Sequence, residues 1–305
     1  MDNNSSRNNT IAKNTFLLYL RSLFGLAVSL YTSRIVLNSL GIDDYGIYNV
    51  VGGMVAMFSL LSNSLSTAIS RYLTFELGKE NIDKLRTIFS SSVVIQTGLA
   101  LFILLLVEIF GICFLNLYIN IPAGRLEAAH WALQCSAITF AVGLISIPYN
   151  ATIIAHEKMV FFAYISILEQ VLKLIVAYLL YISPFDKLKI YAFLLVIVSI
   201  LIRAIYGMYC KRQFEECNGK IIIDKSFIRQ MVDFAGWNFL GAGSGVLMTQ
   251  GVNILMNLFF TVAVNAARGV ATQIEGVVMS FVNNFTTAIN PQITKSYASG
   301  DREYL

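Results

Sequence analysis

Residues 159–182 read MVFFAYISILEQVLKLIVAYLLYI. This stretch is long enough to cross a bilayer as one helix, which needs about 20 mostly apolar residues. Its two charged residues, Glu169 and Lys173, have the favourable i,i+4 order, so we expect an ion pair within the helix. The stretch lacks the alternation of apolar and polar residues that is typical of barrel strands. It therefore predicts a membrane-spanning helix.

The composition of the whole chain agrees with this prediction. Of the 305 residues, 56% are hydrophobic and 13% are charged, whereas soluble domains are about 25% charged. Seven further stretches meet the same length criterion, namely 14–38, 45–75, 88–118, 128–155, 188–210, 233–260 and 265–293. We therefore expect an all-α polytopic membrane protein with eight transmembrane helices.

Lys and Arg residues are distributed unevenly over the connections between these spans. Thirteen lie in the N-terminal segment, the even-numbered connections and the C-terminal tail, and three lie in the odd-numbered connections. Because cytoplasmic loops are enriched in cations, we expect both termini to be cytoplasmic. The net charge of +4 is small and the cations are dispersed, which argues against nucleic acid as a partner. The four cysteines form no CxxC pair and have no histidine at metal-ligand spacing, so no metal site is predicted.

Two segments of the chain resemble each other. Residues 63–70 read NSLSTAIS and residues 283–290 read NNFTTAIN, with four of eight positions identical, and the offset of 220 continues to Leu85 and Leu305. Six spans separate the segments, so we expect parallel repeats of the kind found in transporters. The predicted organisation is a first six-helix lobe at 1–213, a cytoplasmic linker at 214–232, and the first two helices of a truncated second lobe at 233–305. An accidental match in an eight-helix protein is the alternative.

Polar residues recur on one side of predicted spans one, two, seven and eight, whereas spans three to six are mostly apolar. Because charges near the bilayer centre are costly, such a face must meet another helix or a cavity. Arg21 and Arg268 each lie about two turns inside an apolar segment, and we expect both to line a substrate cavity. The other predicted cavity residues are Asn63, Gln250, Asn253, Asn257, Asn283 and Thr286.

Three other charged residues have different interpretations. Glu275 shares a face with Arg268 and is a candidate for coupling transport to a proton or cation. Arg34 and Arg71 lie nearer the ends of their spans, where a guanidinium reaches the membrane surface by snorkelling. Snorkelling and a cavity role are therefore equally good accounts of these two arginines.

Several short motifs resemble those of bacterial polysaccharide flippases. They are Ser33-Arg34 with Asn38, Leu40-Gly41, Asp44-Tyr45-Gly46 with Tyr48, Phe234-Ala235-Gly236-Trp237, Asn290-Pro291-Gln292 and Ala298-Ser299-Gly300-Asp301. These flippases carry O-antigen or capsule repeat units and belong to the superfamily of multidrug, oligosaccharidyl-lipid and polysaccharide exporters. The resemblance implies a transporter of the bacterial inner membrane, without enzymatic activity or cofactor. It would move lipid-linked oligosaccharides by alternating access, with the diphosphate near Arg21 and Arg268.

The resemblance also implies partners. They are the undecaprenyl diphosphate-linked oligosaccharide, membrane lipids, a polysaccharide polymerase and glycosyltransferases. Three alternatives remain open from the sequence. A drug/cation antiporter of the same superfamily would need a carboxylate-rich cavity. A membrane glycosyltransferase or polymerase would need a large outer loop or an acidic catalytic pair. An inactive truncated transporter is the third alternative.

Overall fold

The computed structural model describes residues 2–117, 121, 124–219, 222, 224–259 and 262–300. These residues form nine α-helices: α1 Asp2–Ala56, α2 Ser59–Gly78, α3 Ile82–Leu106, α4 Ile112–Leu117, α5 Leu126–Ala155, α6 Met159–Ile182, α7 Lys187–Gln213, α8 Lys225–Phe259 and α9 Val262–Ser299. A π-helical turn, Val107–Gly111, joins α3 to α4, and a 3₁₀ turn, Glu215–Asn218, follows α7. The described ranges contain no β-strand. The predicted all-α fold is therefore confirmed.

Five helical segments are long and apolar enough to cross a membrane by length and composition. They are Ile11–Ala56, Ile82–Leu117, Leu126–Ala155, Met159–Ile182 and Lys187–Gln213, found among the described residues. The other helices, α2, α8 and α9, hold predicted spans seven and eight and most of predicted span two. These are the spans in which the sequence concentrates polar residues.

A glycine separates predicted span one from predicted span two inside α1. Gly41 has φ of 83° and ψ of 172°, a left-handed conformation that glycine adopts without a steric penalty. The helix before Gly41 holds predicted span one, and residues 42–56 hold the first part of predicted span two. The chain therefore changes direction at a single residue, without a loop.

Predicted span two, 45–75, is not one continuous helix. The helix ends at Ala56 and restarts at Ser59, and the amide of Phe58 donates to the carbonyl of Val55 at 3.2 Å, three residues back. Gly52 and Gly53 precede this break by one turn, and each glycine costs a helix interior about 1 kcal/mol relative to alanine. The prediction missed the break because apolar residues continue through it.

The predicted linker, 214–232, is shorter in the structure. Helix α8 begins at Lys225, because the carboxylate of Asp224 accepts hydrogen bonds from the amides of Ser226 at 2.8 Å and Phe227 at 3.2 Å. Such a cap satisfies amides that have no partner inside the helix. Just before it, the amide of Ile222 donates to Ser90 Oγ of α3 at 2.8 Å. The division of the chain into two lobes stays a prediction.

Helix α5 lies at the centre of the bundle and packs against α3 and α7. Its buried face is lined by small side chains, among them Ala128, Ala129 and Ala132, which are at most 2% exposed. Small residues allow helix backbones to approach closely, and dispersion contacts between them stabilise helix packing in membranes. Pro148 lies within α5, and Thr152 Oγ1 donates to the carbonyl of Pro148 at 2.9 Å.

Ion pairs join the helix connections at one end of the bundle, which we call the Arg125 end. Arg125 Nε donates to Asp44 at 2.7 Å and Arg125 Nη1 donates to Asp186 at 2.6 Å. These three residues come from the turn after Gly41 and from the N-termini of α5 and α7. One guanidinium therefore fastens three helix connections together.

The opposite end of the bundle carries most of the cations, and we call it the basic end. Between α5 and α6, Glu157 accepts hydrogen bonds from Gln292 and from Lys295 Nζ of α9, the latter at 2.7 Å. His156 Nε2 lies 2.6 Å from Glu216 of the 3₁₀ turn. Burial raises the pKa of Glu216, but the hydrogen bonds from His156 and from its own backbone amide, together with the nearby charge of Arg86, outweigh burial, so the pKa lies below its ordinary value. Polar contacts therefore join α9 and the 3₁₀ turn to the connection between α5 and α6 at this end.

Helices α2 and α9, which contain the two similar sequence segments, are neighbours at the basic end. They approach so closely at Gly78 that a Cβ atom there would lie 2.7 Å from the carbonyl oxygen of Lys295 and 2.8 Å from Cβ of Ala298. The offset of 220 residues relates Gly78 to Ala298. Helix α9 also contacts α1, since Asn284 Nδ2 donates to Ser22 Oγ at 2.7 Å. The two similar sequence segments therefore meet at positions related by the offset of 220 residues.

Candidate functional site

A cavity of about 450 Å³ lies between α1, α5, α6 and α7, and we call it the Arg21 cavity. Most of its lining consists of side chains that form hydrogen bonds. Its hydroxyl and amide residues include Ser22, Thr139, Ser146, Asn150, Ser166 and Gln170. Arg21 and Glu169 are its two charged residues. The volume is in the range of about 300–1,000 Å³ that is typical of small-molecule sites.

Arg21 projects from α1 into this cavity. Its guanidinium carbon lies 4.7 Å from the ring centre of Phe162 on α6, a cation–π contact. Within the described part of the chain, no carboxylate forms a salt bridge with Arg21. The aromatic ring orients the guanidinium without neutralising its charge. Arg21 therefore offers its hydrogen-bond donors to the cavity.

Glu169 belongs to an ion pair inside α6. Lys173 Nζ lies 2.5 Å from Glu169 Oε1, which confirms the i,i+4 pair predicted from the sequence. The neighbouring ammonium neutralises the carboxylate. Glu169 is therefore a weak counter-charge for a cationic ligand, and Arg21 gives the cavity an excess of positive charge.

A second arginine lies close to the wall of the Arg21 cavity. The guanidinium carbon of Arg203 on α7 is 3.7 Å from the ring centre of Tyr149 on α5. Its chain neighbour Ile202 and the neighbour of Tyr149, Asn150, both line the cavity. Asn150 Oδ1 is buried and has no hydrogen-bond partner among the described residues. A buried acceptor of this kind is satisfied by a ligand or a water molecule that donates.

The lining of this cavity differs from the sequence expectation. The polar stripes were expected in spans one, two, seven and eight, but α5, α6 and α7, which hold spans four to six, supply most of the Arg21 cavity. The signal in α5 is a set of three residues, Thr139, Ser146 and Asn150, at spacings of seven and four, which places them on one helix face. The apolar majority of these helices hides that face.

Of the other predicted site residues, the three that the structure describes, Asn283, Thr286 and Glu275, do not line the Arg21 cavity. Asn283 and Thr286 are exposed on α9, and Thr286 Oγ1 donates to the carbonyl of Val282 at 2.9 Å. Glu275 is exposed on the same helix. The side chains of Asn63, Gln250, Asn253, Asn257 and Arg268 lie outside the described part of the chain. Their roles, and a shared site for Arg21 and Arg268, stay predictions.

A family model identifies the family, and solved structures share the fold. The MatE family model matches residues 20–179, and no curated protein matches the sequence. The fold resembles the crystal structure of a point mutant of VcmN, a MATE transporter of Vibrio cholerae. The TM-score is 0.78 and the identity 15%, covering 100% of this chain and 69% of that one. A MOP superfamily transporter of Pyrococcus furiosus gives a TM-score of 0.73 at 12% identity, covering 97% and 67%.

A third solved structure is an outward-facing multidrug resistance MATE transporter of the MOP superfamily, with a TM-score of 0.74 at 12% identity, covering 97% of this chain and 67% of that one. At these identities the likeness shows the fold alone. The family match is independent of it and covers more than half of the chain. The protein therefore belongs to the MatE family.

Proposed function

We propose that the protein translocates lipid diphosphate-linked oligosaccharide repeat units across the bacterial cytoplasmic membrane by alternating access. Members of its family are transporters rather than enzymes. The cargo follows from the resemblance to polysaccharide flippases and from the charge of the Arg21 cavity. Glycosyltransferases would build this cargo, and a polysaccharide polymerase would consume it after translocation.

The excess positive charge of the Arg21 cavity is the observation that carries the proposal. Guanidinium groups bind phosphate oxygens through paired donors, so Arg21 is suited to a diphosphate. The hydroxyl and amide groups around it suit the hydroxyl groups of a sugar. A cationic drug would instead be repelled by Arg21 and would find the carboxylate of Glu169 already paired with Lys173.

The distribution of Lys and Arg indicates which end of the bundle faces the cytoplasm. The sequence places thirteen cations in the N-terminal segment, the even-numbered connections and the C-terminal tail. We assign the basic end, where the described parts of these connections lie, to the cytoplasm. At this end Glu157 bridges the connection between α5 and α6 to α9, and we expect loading of cargo to require these contacts to open.

A drug/cation antiporter of the same superfamily is the second candidate. It is favoured by the similar structure described as a multidrug resistance transporter. The Pyrococcus furiosus structure is described as having a binding pocket of reverse polarity that suggests a different function. Pocket polarity is therefore described as reversed in one protein of this fold, and the charge of the Arg21 cavity favours the anionic cargo.

The two candidates are separated by expressing the protein in two bacterial strains. One strain lacks its own repeat-unit flippase and is scored for surface polysaccharide. The other lacks its drug exporters and is scored for ethidium efflux. We expect the protein to restore surface polysaccharide without changing efflux. Efflux without surface polysaccharide would establish the antiporter instead.

Arg21→Gln tests the site in the same assay. Hydrogen bonds to charged groups contribute about 1.5–3 kcal/mol, so we expect surface polysaccharide to fall about ten-fold or more at an unchanged membrane level. Arg34→Gln is the matched control, because Arg34 is exposed on the same helix and does not line the cavity. Normal surface polysaccharide in Arg21→Gln would refute the assignment. Arg268→Gln tests the second predicted arginine in the same way.

A further inference from the structure

A second polar cavity, of about 400 Å³, lies between α2 and α9, and we call it the Arg71 cavity. Its walls consist largely of residues that the sequence repeat makes equivalent. Three hydroxyl or amide pairs face it at the offset of 220 residues, namely Thr67 with Thr287, Ser70 with Asn290 and Thr74 with Thr294. The cavity therefore lies where the two repeats meet, separate from the Arg21 cavity inside the first lobe.

One residue pair breaks this symmetry. Arg71 of α2 is equivalent to Pro291 of α9, and both line the cavity. Among the described residues that line the cavity, Arg71 is the one charged residue, so the described lining has a net positive charge. The guanidinium carbon lies 5.6 Å from the ring centre of Phe234 on α8, which holds it by a cation–π contact. Snorkelling alone does not explain an arginine that lines a cavity between two helices.

The hydrogen-bonding groups around Arg71 suit a phosphate that carries a sugar. Thr74 Oγ1 donates to the carbonyl of Ser70 at 2.7 Å, and Thr287 Oγ1 donates to the carbonyl of Asn283 at 2.8 Å. These two hydroxyls therefore offer acceptors, which match the hydroxyl protons of a sugar. The guanidinium of Arg71 offers several donors in one plane, which match phosphate oxygens.

The Arg71 cavity also lies next to the basic end. Gly78, where α2 touches α9, is seven residues from Arg71, which corresponds to about 10 Å along the helix. The nearby carboxylate of Glu157 is bonded to Gln292 and Lys295, so its charge is compensated there. A phosphate that enters when this end opens would reach Arg71 before any deeper group of the bundle.

We propose that the Arg71 cavity is a phosphate-binding site, in which Arg71 binds the phosphate of a glycosyl diphosphate at the junction of the two repeats. This inference rests on the proposed function and adds to it a loading site near the cytoplasmic end. Arg71 then binds the cargo first, and the Arg21 cavity is a separate site.

Binding of two probes to the purified protein in neutral detergent tests this site. The probes are inorganic pyrophosphate and geranylgeranyl diphosphate, and their affinities are measured by calorimetric titration. We expect Arg71→Gln to lower the affinity for both probes about ten-fold or more. Arg71→Lys should lower it less, because lysine keeps the charge and loses only the paired donors. Lys79→Gln is the matched control, since Lys79 is a cation directly after the same helix, 4.3 Å from the ring centre of Phe75, and does not line the cavity.

The thermal unfolding midpoint of each variant distinguishes lost binding from lost folding. Unchanged diphosphate affinity in a folded Arg71→Gln protein would overturn the site, and so would an equal loss in Lys79→Gln. The titrations are repeated with the protein in nanodiscs. If phosphatidylglycerol nanodiscs abolish binding of the probes and phosphatidylcholine nanodiscs do not, the site holds a bilayer headgroup and the cargo assignment is overturned.

Surface polysaccharide separates this inference from the proposed function. Loss in Arg21→Gln but not in Arg71→Gln would overturn the loading site and leave the proposed function standing. Loss in both, together with the lost diphosphate affinity of Arg71→Gln, supports the loading site. Failure of the wild-type protein to restore polysaccharide would refute the proposed function, whereas pyrophosphate binding that depends on Arg71 would still identify a phosphate site.

Discussion

Replacing Arg125 with glutamine should destabilise the Arg125 end of the bundle. The guanidinium donates to Asp44 at 2.7 Å from Nε and to Asp186 at 2.6 Å from Nη1. Glutamine has neither the charge nor the geometry to serve two carboxylates. The variant leaves two carboxylates facing each other without a counter-charge, so we expect a lower free energy of unfolding.

The exposure of these side chains determines how large a loss of unfolding free energy we expect. Arg125, Asp44 and Asp186 are 28%, 14% and 29% exposed, so the cluster is neither at the surface nor fully buried. Exposed pairs contribute about 0–1 kcal/mol, and breaking a buried pair costs about 3–5 kcal/mol. We therefore expect a loss of about 2–3 kcal/mol. For a chain of this size that corresponds to a fall of about 3–5 °C in the unfolding midpoint.

The pH dependence gives a second test. Burial raises the pKa of Asp186, but the hydrogen bonds from Arg125 and from the amides of Lys189 and Leu188 outweigh it, so the pKa lies below its ordinary value. A carboxylate with a lowered folded pKa stabilises the fold above its unfolded pKa, about 4, and loses that contribution as the pH falls through the folded pKa. The difference in the free energy of unfolding between wild type and Arg125→Gln should be constant from about pH 5 to 8. It should become smaller below about pH 4.

Tryptophan fluorescence during thermal unfolding in detergent is the assay. Trp131 Nε1 donates to the carbonyl of Lys189 at 3.2 Å, so it reports on this end of the bundle. Glu127→Gln is the control, because the Lys189–Glu127 pair has a similar distance of 2.5 Å but Glu127 is 87% exposed. We expect less than about 1 kcal/mol for that pair. If Arg125→Gln costs no more than the control, the Arg125 cluster does not hold the three connections together.

Three further variants test features of the fold. Gly41→Ala should lower the free energy of unfolding by about 1–2 kcal/mol. An added Cβ would meet no neighbour, so the cost comes from the positive φ of 83°, which alanine adopts only with strain. An unchanged unfolding midpoint would refute this account of the turn. Gly78→Ala should destabilise the protein, since its Cβ would lie 2.7 Å from the carbonyl oxygen of Lys295. Gly98→Ala is the control, because a Cβ there has no neighbour within 4 Å. Equal unfolding midpoints of the two variants would refute the close contact. Glu157→Gln should accelerate amide hydrogen exchange at residues 78–82 by weakening the polar contacts at the basic end, and unchanged exchange would show that other contacts hold this end together.

The sequence predicts the helices of this protein well, because membrane spans are determined by length and apolar composition. The span predicted at 159–182 and the helix α6 are identical, and the Glu169–Lys173 pair forms as predicted. Places where one residue redirects the chain are harder to predict. Gly41 turns the helix without a loop, and Asp224 starts α8 within the predicted linker.

The candidate site is less accessible to sequence reasoning than the helices. Arg21 is identified by its charge inside an apolar span, but its partners come from three other helices. Thr139, Ser146 and Asn150 share one face of α5, but that face becomes the wall of a cavity only when α1 and α6 pack beside it. Arg71 illustrates the same limit, because its position near a helix end is compatible with snorkelling until the cavity between α2 and α9 is known.

The contact of Gly78 with α9 is a point about which α2 could rotate as a rigid helix. Gly78 is the last residue of the helix and Ser59 the first, so the two ends are about 28 Å apart along the axis. A rotation of about 10° with its fulcrum at Gly78 would carry the Ser59 end through about 5 Å but move Arg71, about 10 Å away, by less than about 2 Å. A ligand held at Arg71 would therefore stay bound while the far end of the helix swings open.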